Sequence, residues 1–125
     1  MAISLRLTPR THYGLDLLAR KRHTTLTAVI EWAVSRAISD AVDGLVEQRG
    51  GRTVDILSEV WDPEEADRFV RLAQAYPALL RFEEDRLWKA IRENPKLWAQ
   101  KTGPRIAAIR ESWPALYAQY VEGKG

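Results

Sequence analysis

The chain has 125 residues, enough for one ordinary domain or two very small ones, and its hydrophobic (46%) and charged (29%) fractions indicate a folded rather than a disordered protein. It contains no cysteine, which excludes disulfides and thiolate metal sites. It also has no apolar run long enough to cross a bilayer and no secretory signal at its start. We therefore expect a cytoplasmic protein with no membrane partner.

Residues 2–8 (AISLRLT) alternate with a period of two, which predicts a β-strand with one buried face. The apolar positions are Ile3, Leu5 and Leu7, and the polar positions are Ser4, Arg6 and Thr8. A lone strand leaves both backbone edges unpaired, and we recognise no second strand in the first 50 residues. We therefore expect two copies of the chain to pair these strands antiparallel across a twofold axis.

Two helices are predicted after the strand. Pro9 suits the first turn of a helix that Thr8 caps and that runs to about Lys21. A polar break follows, and Thr24 or Thr25 then caps a second helix that extends past Ile38, as far as Leu45 on the longest reading. We interpret Gly50 and Gly51 as a hinge at the end of this segment.

The net charge of +2 is distributed unevenly along the chain. Residues 1–39 carry six Arg or Lys and only two acidic side chains, a local charge of +4. A polyanionic partner is the first hypothesis for this segment, and a solvated surface of mixed charge is the alternative.

The segment ISLRLTPRTHYGLDLLARKRHTTLTAVIEWAVSRAI resembles the ribbon–helix–helix proteins of the MetJ/Arc/CopG type in its order of strand, helix, turn and longer helix. The resemblance covers the first third of the chain. It implies a homodimer whose antiparallel β-ribbon enters the major groove of B-DNA. The expected fold is mainly α: a ribbon–helix–helix domain at residues 1–48 and an all-helical domain at residues 53–125.

The resemblance also implies a set of DNA contacts. Base contacts fall to Ser4, Arg6 and Thr8, and Arg6 is favoured because a guanidinium can bind guanine O6 and N7 together. Phosphate contacts fall to the second-helix N-terminus and nearby cations: Thr24, Thr25, Thr27, Arg10, Lys21 and Arg22. The alternatives are that Arg6 only keeps the strand edge soluble, that Thr8 and Thr25 are plain helix caps, and that the basic turn is merely solvated.

The shared apolar core of the dimer is expected to consist of Ile3, Leu5, Leu7, Leu15, Leu18, Ile30, Ala33 and Val34. The turn between the helices has His23 where Gly or Asn would be easier if φ is positive.

The second half of the sequence predicts helices separated by prolines. Asp62-Pro63-Glu64-Glu65 has the residues of a helix start, and AIRENPKLWAQ and AIRESWPALYAQ suggest a repeat of helix end, polar cap and new helix. The aromatic residues after position 60 are interpreted as core, with an aromatic groove for a partner helix as the alternative. The runs Glu64-Glu65-Asp67 and Glu83-Glu84-Asp85 are interpreted as solvated helix faces.

The sequence therefore predicts sequence-specific binding of double-stranded DNA by a homodimer, as in a transcriptional repressor. An antitoxin, a plasmid partition protein, a conjugation accessory protein and a dimeric interaction module that does not bind DNA remain as alternatives. Further assembly on DNA and a protein partner for the helical half are also open. We expect no enzymatic activity, no catalytic residues, no cofactor and no metal, because no nucleophile motif or phosphate-binding loop is present.

Overall fold

The structure is a computed structural model that describes residues 4–123. Its first helix, α1 (Pro9–Lys21), begins and ends where the sequence predicts. The Thr8 hydroxyl accepts a hydrogen bond from the Thr11 backbone N–H at 3.2 Å, and Pro9 occupies the first helical position. These local signals lie within four residues of the helix start, which is why the sequence alone defines it.

A Schellman motif ends α1. The backbone N–H of Thr24 donates to Ala19 O at 3.0 Å, and that of His23 donates to Arg20 O at 3.2 Å. His23 has a φ of 52°, so the positive φ considered from the sequence is present at this turn. Helix α2 (Leu26–Ser39) then begins behind Thr25, whose hydroxyl accepts from the Ala28 N–H at 3.1 Å.

Helix α2 stops at Ser39, so the predicted extension to Leu45 is wrong. The Asp40 carboxylate accepts hydrogen bonds from the backbone N–H groups of Val42 (3.1 Å) and Asp43 (2.8 Å), which closes a turn in competition with the helix. These bonds lower the pKa of Asp40 below its usual value. Gly44 completes the turn, because a Cβ there would lie within 2.6 Å of the Asp40 backbone N and O.

The predicted hinge at Gly50 and Gly51 is also wrong. The two glycines have φ values of 57° and 78°, and they form the two-residue turn of a β-hairpin. Strand β1 (Val46–Arg49) pairs antiparallel with β2 (Arg52–Asp55), with Val46 opposite Asp55 and Arg49 opposite Arg52. The ladder continues with a bond from the Ile56 N–H to Leu45 O at 3.1 Å.

The chain divides into two units, Met1–Ile56 and Leu57–Gly125. The sequence-based boundary was placed at residues 48–53, but these residues belong to the hairpin. A short helix, α3 (Ile56–Val60), begins at the division.

The second unit is mainly helical. It contains α4 (Glu65–Ala75), a 3-10 turn at Pro77–Leu79, α5 (Phe82–Glu93) and α6 (Ile106–Tyr120). A short pairing of β3 (Trp98–Ala99) with β4 (Gly103–Pro104) lies between α5 and α6, so the unit is not all-helical as predicted. No helix within residues 4–123 has the length and apolar composition needed to cross a bilayer.

Two predictions about proline-containing segments are corrected. Helix α4 begins at Glu65 rather than Pro63, because Asp62 accepts from the Glu64 N–H at 2.8 Å and holds a turn before the helix. The proposed repeat has no structural counterpart: its first copy contains the end of α5 at Glu93, whereas its second copy lies within α6 with Pro114 inside the helix.

The core of the second unit lies among α4, α5 and α6. Phe69 packs against Trp88 and Trp113, with ring centroids 6.2 and 5.2 Å apart. The interpretation of the aromatic residues as core is confirmed for these three rings, but Trp61 and Phe82 are exposed. The other buried side chains of this core are Ala66, Val70, Ala73, Leu87, Ile91, Leu97 and Ile109.

One ion pair joins α4 to α6 at the edge of this core. Asp67 is buried and accepts two hydrogen bonds from the Arg110 guanidinium, at 2.7 and 2.6 Å. The interpretation of Asp67 as part of a solvated face is therefore wrong. The sequence did not indicate this pairing, because Arg110 lies 43 positions away from Asp67. The Arg110 hydrogen bonds lower the pKa of Asp67, and the pair raises the pKa of Arg110.

Replacing Asp67 with Asn should lower the free energy of unfolding by about 1–2 kcal/mol at neutral pH, a modest value because Arg110 is half exposed. Since the pKa of Asp67 is lowered by folding, its contribution is complete above the unfolded-state pKa and is lost as pH falls through the folded-state pKa. Chemical denaturation of wild type and Asp67→Asn should therefore give a difference that shrinks below about pH 4. Glu111→Gln, at an exposed position of α6, is the control, and an equal pH profile for both variants would contradict the assignment.

Candidate nucleic-acid interface

Residues 4–8 precede α1 and form no hydrogen-bonded strand in the single chain. The expected ladder needs a second copy, so a single chain does not test it. Leu5 is 61% exposed and Leu7 is 41% exposed, although both were predicted to be apolar core residues. Ile3, the third apolar residue of the segment, lies outside the described residues.

The residues predicted to contact bases differ in their local bonding. Ser4 and Arg6 are exposed. Thr8 is exposed as well, but its hydroxyl accepts from the Thr11 N–H and donates to the Thr11 hydroxyl at 2.9 Å. Because a hydroxyl has one donor hydrogen, Thr8 retains only acceptor capacity for another partner.

The α1–α2 turn brings together most of the residues predicted to contact phosphate. Lys21, Arg22, Thr24, Thr25 and Thr27 lie within seven consecutive positions, and all of them are exposed. The Schellman motif fixes the backbone of this turn, and the N-terminus of α2 follows directly. Free N–H groups and the helix dipole at such a terminus favour an anion.

Arg10 is not part of this turn. It lies in the first turn of α1, at the end of the helix that follows Thr8. The 13 residues of α1 give the helix a length of about 20 Å. Within one chain, the proposed base-contacting segment and the proposed phosphate-contacting turn therefore lie at opposite ends of α1.

A tryptophan holds the side chain of one turn arginine. The Arg22 guanidinium carbon lies 4.3 Å from the centroid of the Trp32 ring, and that of Arg36 lies 5.3 Å from it. Sequence reasoning did not assign a role to Trp32. The i, i+4 spacing of Trp32 and Arg36 was the available signal, whereas the contact with Arg22 depends on the fold of the turn.

Arg20, in the last turn of α1, has a local partner. The Arg20 guanidinium pairs with Asp16 on α1 at 2.5 Å, four positions earlier. Arg20 is therefore held along α1, while Arg22 is held against α2.

The first unit buries few of its apolar side chains. Ala19 and Val29 are the only buried residues between positions 4 and 56. Leu15, Leu18, Ile30 and Ala33 are half-buried, and Val34 is exposed. Further exposed apolar side chains, which sequence reasoning did not single out as interface residues, belong to Tyr13, Leu17 and Val42.

Both histidines of the chain, His12 and His23, are exposed in this unit. Across residues 4–123, no three His, Cys, Asp or Glu side chains form a group that could hold a metal ion.

Comparisons of the chain with protein-family models, with curated proteins and with solved structures found no match. The assignment of a function therefore depends on the residues and geometry described above.

Substituting Leu5 with Asp distinguishes a monomer from a dimer in which the two chains share one apolar core. In an isolated chain the position is exposed, so the change should alter the unfolding free energy by no more than about 0.5 kcal/mol. In the expected dimer the carboxylate would be buried without a partner, which is very costly, so both association and folding of the first unit should be lost. Sedimentation equilibrium and far-UV circular dichroism measure the two effects.

Ser4→Asp is the matched control for Leu5→Asp. It introduces the same charge one residue away, on the opposite face of the predicted strand. Ser4→Asp should preserve the dimer. A stably folded monomer carrying Leu5→Asp, or equal effects of both substitutions, would contradict the shared-core dimer.

Proposed function

We propose that this chain forms a homodimer that binds double-stranded DNA sequence-specifically through an N-terminal β-ribbon, and that it acts in the cytoplasm as a transcriptional repressor. The observation that carries the proposal is the alternation at residues 4–8. Leu5 and Leu7 are exposed in the single chain and alternate with Ser4, Arg6 and Thr8. Pairing with a second copy would bury the leucines and present the polar side chains together on one face.

The size of the first unit supports the need for a partner. A unit of about 50 residues can bury a smaller fraction of its surface than a larger domain can, and this one has two buried side chains among its described residues. Packing the exposed side chains of Leu5, Leu7 and Val34 against the same residues of a second copy would supply the missing core.

The charge and the helix geometry support DNA as the ligand. Residues 1–39 carry six basic and two acidic side chains, and the α1–α2 turn displays Lys21 and Arg22 beside the capped N-terminus of α2. A two-stranded ribbon fits the major groove, while a helix N-terminus with adjacent cations suits a backbone phosphate. In this arrangement Arg6 reads sequence, and the turn sets the position of the ribbon.

Arg6→Ala and Thr25→Ala should affect DNA binding differently. Arg6→Ala should cost about 1–3 kcal/mol per base contact, twice in a dimer, so specific affinity collapses while non-specific binding survives. Thr25→Ala should weaken specific and non-specific binding together, because it removes a cap at a phosphate site that does not read sequence. Each variant is titrated at fixed salt against a duplex selected from a random library and against its scrambled sequence. The two titrations measure the loss of specific and of non-specific affinity relative to wild type.

Two further variants are the controls for that experiment. Arg92→Ala removes an exposed arginine from the last turn of α5 and should leave both affinities unchanged. Thr25→Ser retains a capping hydroxyl and should restore binding. Equal losses for Arg6→Ala on both duplexes would limit Arg6 to a phosphate contact. Absence of binding by wild type would favour the interaction module that does not bind DNA, and an affinity independent of salt would contradict the proposed phosphate contacts.

The contact between Trp32 and Arg22 should contribute to phosphate binding by fixing the guanidinium in place. Trp32→Leu keeps an apolar side chain but removes the aromatic face, and it should weaken binding by about 0.5–1 kcal/mol per subunit. In an Arg22→Ala background the same change should have little further effect, because the residue that Trp32 positions is gone.

Trp61→Leu is the matched control for Trp32→Leu. Its ring also contacts an arginine, with Arg68 5.1 Å from the centroid, but it lies in the second unit. It should leave DNA affinity unchanged. A Trp32→Leu effect of full size in the Arg22→Ala background would show that Trp32 does not act through Arg22.

A further inference from the structure

Two arginines of the first unit lie beside one aromatic ring. The guanidinium carbons of Arg22 and Arg36 are 4.3 and 5.3 Å from the centroid of the Trp32 ring. Since both distances end at the same point, the two cations lie within about 10 Å of each other, where like charges still repel at moderate ionic strength. Both side chains are exposed, so they concentrate positive charge at one place on the surface.

Neither of these cations is neutralised within residues 4–123. In this range, the side chains of Arg22 and Arg36 form no ion pair and no hydrogen bond to an oxygen. Asp40 lies four positions after Arg36, but its carboxylate accepts from two backbone N–H groups of the turn after α2. These bonds lower the pKa of Asp40 more than the nearby charge of Arg36 does. Each guanidinium therefore keeps its five N–H donors for an oxygen outside the described part of the chain.

The second unit contains the same kind of ring contact together with an acid. Arg68 lies 5.1 Å from the centroid of the Trp61 ring and donates to Asp62 O at 3.1 Å. Arg71 donates to Trp61 O at 2.9 Å and pairs with the Asp62 carboxylate at 3.1 Å. Among residues 4–123, the contact at Trp32 has two cations and no such acid, so its charge is left for an external anion.

The position of the two arginines along α2 indicates which anion they contact. Trp32 follows the capping Thr25 by seven positions, a distance of about 10 Å along the helix axis. Arg36 lies in the last turn of α2, and long helical side chains point back toward the helix N-terminus. The arginines are therefore near the phosphate site proposed at the start of α2 but separate from it. A series of phosphates along one strand fits this spacing, whereas a single phosphate does not.

We propose that Arg22, held against Trp32, and Arg36, placed by α2 itself, contact two neighbouring phosphates of one DNA strand. This inference rests on the proposed function, because it extends the same DNA interface from the N-terminus of α2 along the helix. It adds Arg36 to the residues that contact DNA. A guanidinium can donate two parallel N–H groups to a phosphate. Because phosphates are the same at every base pair, the two contacts increase affinity for all sequences alike.

The salt dependence of DNA affinity measures the number of phosphates in contact. The logarithm of affinity falls linearly with the logarithm of salt concentration, with a slope of about −0.9 for each phosphate. Arg36→Ala removes one contact from each subunit, so the slope of the dimer should become less steep by about 1.8. Arg22→Ala should have the same effect, and the double variant should lose about 3.6. Arg36→Lys retains the charge and should retain most of the slope.

Arg68→Ala is the matched control, because it removes an arginine from a tryptophan ring in the second unit. It should leave the slope unchanged. Ethylation interference on the selected duplex then locates the contacts. Arg22→Ala and Arg36→Ala should each abolish interference at one phosphate per half-site, and the two phosphates should be neighbours on one strand.

The proposed function and this inference fail in different ways. A wild-type protein that does not bind DNA would overturn both. If wild type binds and Arg6→Ala lowers only the specific affinity, the proposed function stands. A salt slope and an interference pattern that Arg36→Ala does not change would then overturn the inference alone. A lower melting temperature of Arg36→Ala with an unchanged slope would also overturn it, because the role of Arg36 would then be limited to the helix C-terminus.

Discussion

Burial of apolar surface is the constraint on which both units depend, and the two units meet it in different ways. The second unit surrounds Phe69, Trp88 and Trp113 with three helices, and it buries ten apolar side chains in one cluster. The first unit buries Ala19 and Val29 and leaves leucine, valine and aromatic side chains exposed. Since the hydrophobic effect scales with the area removed from water, the second unit has a core of its own and the first has an incomplete one.

This difference gives the proposed dimer a physical basis. An N-terminal unit that is completed by a second copy cannot bind DNA as a folded monomer, so its DNA affinity would depend on protein concentration. The Schellman motif and the Thr25 cap fix the α1–α2 turn with local backbone bonds. The phosphate-contacting part of the proposed interface is therefore formed within one chain, while the base-reading ribbon requires two.

Sequence reasoning succeeded where a structure is defined by neighbours in the chain. The caps at Thr8 and Thr25 and the extent of α1 each depend on a few consecutive residues. It failed where two local signals compete. Asp40 ends α2 despite a continuing apolar pattern, and the glycine pair after Arg49 forms a hairpin turn instead of a hinge.

Contacts between distant residues were beyond the sequence pattern. Asp67 and Arg110 are 43 positions apart, and nothing in either local segment indicates the other. The same holds for the contact between Phe69 and Trp113, which joins α4 to α6 in the core. Among the residues proposed to contact DNA, the sequence identified the exposed polar side chains but not the ring of Trp32 that contacts Arg22, because that contact requires the turn to be folded.

The tight turn after α2 has a consequence for motion in the first unit. The Leu45 N–H donates to Ile38 O at 2.6 Å, the Gly44 N–H donates to Asp40 O at 3.0 Å, and the space beside Gly44 is too small for a methyl group. The first residue of the hairpin arm is thus bonded directly to the last turn of the helix, without slack between them. A displacement of α2, such as a tilt on docking to a rigid surface, would therefore move the hairpin in the same direction.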